Sequence, residues 1–326
     1  MADSAFHYPL QGNRIFVAGH RGMVGSAIMR RLEQEDVILL TATRQELDLT
    51  RQMDVEAWFA RHKPDAVILA AAKVGGILAN ASAPATFMHD NLAIATNVIE
   101  TAHKTGVDRL LFLGSSCIYP KLAPQPINED ALMTGPLEIS NEAYAIAKIA
   151  GLKMCAYYKQ QFGRSYISAM PTNLYGPNDN FDLVSSHVLP ALINKIHAAQ
   201  ETGAQSVTLW GSGTPKREFL HADDLADGLI HLLQHYDGEG PVNIGTGTDI
   251  SILDLAKLIA SIIGYEGTFD LDRSKPDGTP RKLLDVSRLA QEGWQAKIPL
   301  REGVASTYQW YLDNVVAADG VTTKVS

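Results

Sequence analysis

Four short apolar runs, which alternate with longer stretches of helical periodicity, constrain the fold of this chain most. The runs cover residues 15–18, 37–40, 66–69 and 110–113. Each run has the composition and length of a strand buried on both faces of a sheet. Strands that alternate with helices in this way form a parallel sheet covered by helices on both sides. The sequence therefore predicts an α/β fold with a doubly wound parallel sheet.

The overall composition restricts the partners and the compartment. The formal net charge of −8 argues against nucleic acid or an anionic membrane as the main partner. The two cysteines, Cys117 and Cys155, are too few for a disulfide framework or a zinc site, so we predict no metal. Residues 1–13 lack the features of a signal peptide, and the densest apolar run, 66–72, is far shorter than the ~20 residues of a membrane helix. We expect a cytoplasmic protein without a membrane partner.

A glycine-rich segment follows the first predicted strand and opens a helical stretch. Its glycines are spaced Gly-x-x-Gly-x-x-Gly, which permits a tight turn and close approach of the backbone to a pyrophosphate at the helix N-terminus. The position after a strand and before a helix favours a nucleotide site over a turn without a ligand. The predicted contacts of this loop come from Gly19, His20, Arg21, Gly22, Met23, Val24 and Gly25.

The residues after the second predicted strand bear on the choice of dinucleotide. A carboxylate about 20 residues after the loop would bind the ribose 2′-hydroxyl of NAD, whereas an arginine accommodates the 2′-phosphate of NADP. The strand end carries no carboxylate, and Arg44 follows it, with Arg21 as a second cation. We therefore predict NADPH/NADP+ as the cofactor, although Glu46 and Asp48 are near enough to leave NAD open.

Tyr144 and Lys148 form the sharpest local signal of catalysis. Tyr144 is the only tyrosine with a lysine four residues later, and on a helix this spacing places both side chains on one face. A neighbouring cation favours the phenolate and lowers a tyrosine pKa from its usual value of about 10. Without the glycine loop, the pair would be an ordinary feature of an amphipathic helix. With it, the pair predicts acid–base catalysis beside a dinucleotide.

Three further side chains are candidates for the same site. Ser115, at the end of the fourth predicted strand, carries a hydroxyl that can bind a substrate carbonyl beside Tyr144. Cys117 is either a small buried residue, the commoner case, or a thiol that exchanges protons with carbon. His187 becomes a candidate acid only in company with the others.

The regular alternation of predicted strands and helices changes after about Asn173, and residues 175–180 are rich in turn-forming residues. We predict an NADP-binding Rossmann domain over residues 1–174, to which the chain returns at about 218–248. The remaining residues, 175–217 and 249–326, are predicted to form a smaller α/β substrate-binding lobe.

Six segments resemble the GDP-L-fucose synthase family, a branch of the extended short-chain dehydrogenase/reductases. The resemblance runs from about Arg14 to about Tyr311. The glycine loop, in the wider spacing of the short-chain enzymes, and Tyr-x-x-x-Lys are shared with the whole extended family, whereas the Ser-Ser-Cys and Ser-His elements are typical of this branch. The segments are residues 19–27, 70–76, 114–121, 171–177, 210–215 and 274–282.

This resemblance implies conversion of GDP-4-keto-6-deoxy-D-mannose to GDP-L-fucose, with epimerisation at carbons 3 and 5 and NADPH-dependent reduction at carbon 4. Ser115 and Tyr144 would stabilise the enolate, and Cys117 would remove protons that His187 returns on the opposite face. Lys148 would lower the Tyr144 pKa and hold the nicotinamide ribose.

The resemblance also implies two sets of contacts and a homodimer built from two helices of each subunit, one of which carries Tyr144. Residues 1–12 and those after Val315 receive no role. The implied substrate contacts, which would meet the GDP moiety, are Lys195, Trp210, Arg217, Asp277 and Lys282. The further cofactor contacts are Leu113, Gly114, Ser115, Ser116, Lys148, Pro171, Thr172, Asn173, Leu174 and His187.

Two other functions are compatible with parts of this pattern. A nucleotide-sugar 4-epimerase or 4,6-dehydratase would keep the glycine loop and Tyr-x-x-x-Lys, but the dehydratases need a carboxylate just after the catalytic Ser or Thr, where this chain has Ser116 and Cys117. A dinucleotide sensor would bind NADPH without turnover, and it would not need the thiol, the histidine and the Tyr–Lys pair together.

Overall fold

The computed structural model describes residues 6–183, 185–275 and 277–318. The outer ends of the two predicted domains, residues 1–5 and 319–326, and Pro276 of the sixth resembling segment lie outside these residues. The strands are β1 Arg14–Ala18, β2 Ile38–Leu40, β3 Ala66–Leu69, β4 Arg109–Leu113, β5 Ser165–Pro171, β6 Asn173–Tyr175, β7 Ser206–Trp210, β8 Lys216–Arg217, β9 Phe219–His221, β10 Pro241–Ile244, β11 Ile250–Ser251, β12 Thr268–Asp272 and β13 Arg281–Lys282. The α-helices are α1 Met23–Leu32, α2 Gln52–His62, α3 Ile77–Ser82, α4 Pro84–Lys104, α5 Glu142–Phe162, α6 Val188–Thr202, α7 Ala222–His235, α8 Ile252–Ile263, α9 Ser287–Gln291 and α10 Leu300–Tyr311.

The largest sheet has six strands in the order β10-β5-β4-β3-β1-β2, and each neighbouring pair is parallel. The chain places β2 on one side of β1 and β3 on the other, so the direction of winding reverses at β1. Ligands of such sheets bind outside the carboxyl ends of the strands at this reversal. The predicted doubly wound parallel sheet is confirmed.

The predicted strands occur where expected, but the second differs in burial. β3 and β4 are buried at every residue, whereas β2 is only half-buried and Ile38 is 53% exposed. The expectation of burial on both faces was wrong for residues 37–40, because β2 is the edge strand and has β1 as its single neighbour.

Helices cover both faces of this sheet. α1 and α7 pack together on one face, and their apolar residues join the strands in one core. α2, α4 and α5 cover the other face, where α4 buries Ala95, Ile99 and Ala102. This second face fixes the position of α5, the helix that carries Tyr144 and Lys148.

A separate core lies under the later part of the chain, where α6, α8 and α10 pack with β7 and β9. α8 has the bounds that its periodicity indicates, and the Ser251 hydroxyl caps its start by accepting the Asp254 N–H at 3.1 Å. Leu289 and Trp294 pack in the core of the large sheet. The division into two domains stays a prediction. Among the described residues, no helix combines the length and the apolar character that crossing a membrane requires.

Arg109 is fully buried at the start of β4 and joins it to the end of α7. Its guanidinium donates to the carbonyls of Leu233, at 3.0 Å, and of Tyr236, and forms an ion pair with Asp237 at 3.2 Å. Burial lowers the pKa of Arg109 to about 10, so it stays charged at neutral pH. The carbonyls at the end of a helix have no partner within the helix, and Arg109 provides donors for them.

We predict that Arg109→Met destabilises the protein by about 3 kcal/mol, because buried carbonyls and the Asp237 carboxylate lose their partner. The thermal midpoint should fall by about 5 °C or more in a circular-dichroism melt. Arg51→Met is the matched control, since Arg51 is 71% exposed and pairs with Asp54 at the surface. Equal midpoints for the two variants would contradict a structural role for Arg109.

Candidate active site

The loop between β1 and α1 is shaped by two glycines for different reasons. Gly19 has φ +89°, and a Cβ atom there would stand 2.8 Å from the Ala71 backbone nitrogen. A Cβ atom at Gly25 would overlap the Gly19 carbonyl. Both glycines are therefore required by the packing of the protein itself.

Gly22 differs, because a Cβ atom there would meet nothing nearer than the Gly19 carbonyl at 3.6 Å. Gly22 precedes α1, and no side chain caps this helix start. His20 in the same loop has a buried Nδ1 atom without a hydrogen-bond partner among the described residues. Free N–H groups at a helix N-terminus, with open space in front of them, fit the pyrophosphate of a dinucleotide.

The two carboxylates that left NAD open are engaged within their own loop. Glu46 accepts the Thr43 N–H at 2.7 Å, and Asp48 accepts the Thr50 N–H at 3.0 Å and its hydroxyl at 2.7 Å. These hydrogen bonds are the main reason that the pKa of each carboxyl is lowered. The side chains of Arg21 and Arg44 are exposed.

α5 and the end of β4 bring the catalytic candidates together. Lys148 is buried, and its Nζ donates to the Leu113 carbonyl at 2.8 Å. The Ser115 Oγ lies 3.0 Å from the Cys117 Sγ and accepts the Cys117 N–H at 3.3 Å. Tyr144 is also buried, and the Ser115 hydroxyl is close enough to influence its pKa. One cluster thus holds two hydroxyls, a thiol and an ammonium.

Burial controls the protonation of this cluster. The pKa of Tyr144 is raised well above its usual value, because burial and then Cys117 outweigh the hydrogen bond with Ser115. Burial also lowers the pKa of Lys148 to about 8. Desolvation therefore dominates, the net shift of the Tyr144 pKa is upward and the phenol stays protonated at neutral pH, while the part that Lys148 plays in this pKa stays a prediction.

His187 lies outside this hydrogen-bonded cluster. It precedes α6, and its carbonyl accepts the Ala191 N–H at 3.1 Å. Part of its ring is open to solvent, yet the surrounding protein removes enough water to lower its pKa. The loop that precedes His187 packs against the segment that follows β3, since a Cβ atom at Gly76 would be 3.4 Å from the Ser185 carbonyl.

The five predicted substrate residues lie on α6, β7, β8, β13 and the loop before β13. The Lys195 Nζ is 5.4 Å from the centre of the Trp210 ring, and Trp210 is 57% exposed. The Asp277 carboxylate accepts the Ser212 N–H at 2.6 Å and its hydroxyl at 2.8 Å, which orders the turn after Trp210. Asp277 therefore has a structural role in this turn.

The three predicted substrate cations share one property. Burial is the main cause that lowers the pKa of Lys195, Arg217 and Lys282, so each has lost part of its hydration. None of them forms an ion pair within the described residues. Arg217 and Lys282 are direct partners in the parallel pair of β8 and β13. Partly desolvated cations without a carboxylate form a suitable site for an anion.

Two residues that the sequence analysis missed support this site. The Asn141 Nδ2 makes a long hydrogen bond, 3.5 Å, to the Cys117 carbonyl, while its Oδ1 is buried without a partner among the described residues. Its position three residues before Tyr144, one helical turn away, was the available signal.

Glu218 is the second missed residue, and it is fully buried. Its carboxylate accepts the N–H groups of Thr246 at 2.6 Å, Gly247 at 2.8 Å and Leu284 at 3.0 Å. Its carbonyl accepts the Asn173 Nδ2 at 2.8 Å. Glu218 thus connects the predicted cofactor contacts at residues 171–174 with the segment that carries Lys282. A single carboxylate that follows Lys216 and Arg217 gives no sequence signal of such contacts.

Comparison with known proteins assigns this arrangement to a family. Residues 15–245 match the model of the NAD dependent epimerase/dehydratase family. The chain belongs to that family. Among curated family members, it is 58% identical to a GDP-L-fucose synthase of Arabidopsis thaliana over 303 residues, covering 93% of this chain and 94% of that protein.

A second relative, the GDP-L-fucose synthase of Sinorhizobium fredii, is 56% identical over 308 residues, or 94% of this chain and 98% of that protein. A solved family structure, a GDP-L-fucose synthetase from Naegleria fowleri bound to NADP, aligns with a TM-score of 0.86 and 29% identity over 95% of this chain and 98% of that chain. The family supports a nicotinamide dinucleotide as cofactor, and the free helix N-terminus at Gly22 fits it.

We predict that Gly22→Ala weakens NADPH binding about tenfold or more, because the methyl group occupies space that the pyrophosphate needs. The thermal midpoint should stay close to wild type, since no protein atom is displaced. Gly25→Ala is the contrasting variant and should lower both affinity and midpoint. Fluorescence titration with NADPH and thermal melts measure the two effects. Wild-type affinity in Gly22→Ala would show that no ligand approaches this glycine.

Proposed function

We propose that this chain converts GDP-4-keto-6-deoxy-D-mannose to GDP-L-fucose by epimerisation at carbons 3 and 5 and NADPH-dependent reduction at carbon 4. The observation that carries the proposal is the part-buried cluster in which the Cys117 thiol lies 3.0 Å from the Ser115 hydroxyl, with the buried Tyr144 beside it. A simple ketoreductase needs the hydroxyls and the lysine but has no use for the thiol. Relatives of this chain at 56–58% identity carry the name of this activity.

Epimerisation requires proton removal from carbons next to a ketone. These protons are acidic because the resulting charge moves onto the carbon-4 oxygen, where the hydroxyls of Ser115 and Tyr144 would donate hydrogen bonds to it. The Cys117 thiolate takes the proton from one face of the sugar. His187 returns a proton on the opposite face, and its lowered pKa makes it a ready donor in the protonated form.

Reduction at carbon 4 uses the same hydroxyl pair. NADPH, when bound, supplies the hydride. Tyr144 donates its proton to the carbon-4 oxygen, and its raised pKa keeps that proton in place until the oxygen becomes basic. Lys148 lies with its Nζ 6.0 Å from the centre of the Tyr144 ring, and its charge stabilises the phenolate that remains.

The GDP moiety is expected to lie against the later lobe. We expect its diphosphate to bind Lys195 and Arg217, which form no ion pair within the described residues. An arginine can bind a diphosphate through two parallel hydrogen bonds. Trp210 presents an exposed ring for a base or a sugar. These assignments, like those of the catalytic residues, are proposals.

We propose NADPH rather than NADH because of the charged side chains in the two loops expected to surround the ribose that carries the 2′-phosphate. Arg21 and Arg44 are exposed, while Glu46 and Asp48 are held by hydrogen bonds to Thr43 and Thr50. The loop therefore offers cations, and no free carboxylate, to a 2′-phosphate.

The proposal is tested by turnover in deuterated water. With GDP-4-keto-6-deoxy-D-mannose and NADPH, we predict loss of NADPH absorbance and deuterium at carbons 3 and 5 of the product, observed by NMR. NADPH oxidation without deuterium would identify a ketoreductase. Binding without oxidation would identify a sensor, and a 4-epimerase or dehydratase would convert its substrate without net loss of NADPH.

Cys117→Ser belongs to the same experiment, because a serine hydroxyl is almost never ionised at neutral pH, whereas a thiol supplies a fraction of thiolate that can accept the proton. We expect deuterium incorporation to fall by about a hundredfold or more while NADPH affinity is retained. Cys155→Ala is the matched control, since Cys155 lies on α5 with its side chain buried in the core. Wild-type exchange in Cys117→Ser would remove Cys117 from the mechanism.

We predict that Arg44→Ala weakens NADPH binding about tenfold or more and leaves NADH binding nearly unchanged, because only NADPH carries the 2′-phosphate. Titrations with both dinucleotides measure the ratio of affinities. Arg51→Ala, an exposed arginine of the same region, should alter neither. Equal losses for both dinucleotides would contradict recognition of the phosphate by Arg44.

A homodimer and a cytoplasmic location remain predictions. α4 and α5 pack side by side, and the exposed residues of α5 include Ile146, Tyr157 and Phe162. Ile146 and Tyr157 lie on the same exposed face of the helix that carries Tyr144, and this supports pairing of two copies through α4 and α5.

A further inference from the structure

Asn141 directly precedes α5, where asparagine commonly caps a helix, yet its side chain does not cap this one. A capping asparagine accepts a backbone N–H of the first helical turn through its side-chain oxygen. Within the described residues, α5 has no such hydrogen bond at its start. The Asn141 Nδ2 instead donates to the Cys117 carbonyl at 3.5 Å. The side chain therefore points away from its own helix and towards the loop that carries the thiol.

This contact leaves the other half of the amide without a partner. A carbonyl oxygen accepts hydrogen bonds and cannot donate, so it is the nitrogen of the Asn141 amide that faces Cys117. The Oδ1 atom is buried and has no hydrogen-bond partner among the described residues. A buried acceptor that stays unpaired is unfavourable, and a donor on a ligand would relieve this cost. The group that satisfies Oδ1 must therefore be an N–H or a hydroxyl.

Backbone and side-chain contacts hold Asn141 in place relative to the Cys117 loop. The Asn141 N–H donates to the Glu138 carbonyl at 3.1 Å. The Lys121 N–H donates to the Pro136 carbonyl at 3.0 Å, and the Lys121 Nζ lies 2.9 Å from the Glu138 carboxylate. The turn before α5 and residues 117–121 are thus joined at several points. The unpaired oxygen consequently has a defined position beside the catalytic candidates.

The proposed substrate has a suitable donor close to its reacting ketone. Ser115 and Tyr144 would bind the carbon-4 oxygen, and Asn141 comes three residues before Tyr144, so the two side chains are neighbours at the start of α5. The two carbons next to the ketone differ in their substituents. Carbon 3 carries a hydroxyl, whereas carbon 5 carries the ring oxygen and a methyl group. The carbon-3 hydroxyl is therefore the donor nearest to the carbon-4 oxygen.

We propose that the Asn141 Oδ1 accepts a hydrogen bond from the carbon-3 hydroxyl of the sugar, and that Asn141 thereby selects substrates that carry this hydroxyl. The inference rests on the proposed function, because it adds a contact with the same substrate. A contact at the carbon-4 oxygen alone would leave the ring free to turn about the carbon–oxygen bond. A second fixed point sets which face of carbon 3 meets Cys117.

The test compares two substrates in wild type and in Asn141→Ala. The substrates are GDP-4-keto-6-deoxy-D-mannose and GDP-4-keto-3,6-dideoxy-D-mannose, which lacks the carbon-3 hydroxyl, and NADPH oxidation gives kcat/KM for each. We expect Asn141→Ala to lower kcat/KM about tenfold or more for the first substrate, because its hydroxyl loses the acceptor. The value for the dideoxy substrate should change less than about threefold, so the ratio of the two values falls.

Two further measurements separate this contact from a structural effect. Ser140→Ala is the matched control, since the Ser140 hydroxyl lies in the same turn and contacts Glu138 at 3.4 Å, and it should leave the ratio unchanged. The thermal midpoint of Asn141→Ala should stay close to wild type, because no helix cap is lost. Asn141→Ser, with a shorter side chain that is favoured at helix starts, repeats the comparison if the alanine variant does not fold.

Equal losses of kcat/KM for the two substrates would overturn the proposal and would show that Asn141 acts by holding the Cys117 loop. Wild-type rates for both substrates in Asn141→Ala would also overturn it. If wild type oxidised NADPH with neither substrate, the proposed function itself would fall. That result differs from the other two, in which the wild-type enzyme is active.

Discussion

The hydrogen bond from the buried Lys148 ammonium to the Leu113 carbonyl holds the site together. It joins the middle of α5 to the end of β4, the point from which the chain continues to Ser115 and Cys117. Because the ammonium is buried, loss of this acceptor would leave a charge without solvation, which is strongly unfavourable. The tyrosine one turn earlier on α5 is thereby kept beside the serine. The helix and the strand end meet at the carboxyl edge of the parallel sheet, and this hydrogen bond helps to hold them in their relative positions.

Loss of water from charged and titratable side chains is the second physical effect that shapes the site. The protein is acidic overall, with a formal charge of −8, yet Lys195, Arg217 and Lys282 are partly dehydrated cations that form no ion pair with a carboxylate of the described residues. Such cations lower the free energy of an anionic ligand more than hydrated surface lysines would. The same removal of water keeps the tyrosine protonated. The site therefore separates a group of cations suited to an anion from a buried tyrosine that stays a neutral acid.

Much of the fold could be predicted from the sequence, because buried strands and amphipathic helices have distinct periodicities. α8 and β3 occur within the expected bounds, and the glycine loop and the Tyr–Lys pair could be placed because their spacing reflects local geometry. The exposure of β2 could not be predicted, since it depends on the order of strands in the sheet. The direction of the Tyr144 pKa depends on burial, which spacing does not reveal. The place of Lys282 beside Arg217 depends on a pairing of two-residue strands, which leave no periodic signal.

The contacts of Glu218 limit how the predicted substrate-binding lobe can be exchanged for that of another protein. Its carboxylate binds N–H groups of residues 246, 247 and 284, while its carbonyl binds the side chain of Asn173. These partners belong to three separate stretches of chain on both sides of the predicted domain boundary. A chimera that received a foreign sugar-nucleotide lobe would leave a buried carboxylate without donors unless the new segments presented N–H groups at the same places. Exchange of substrate specificity between relatives is thus constrained at this seam as well as in the pocket.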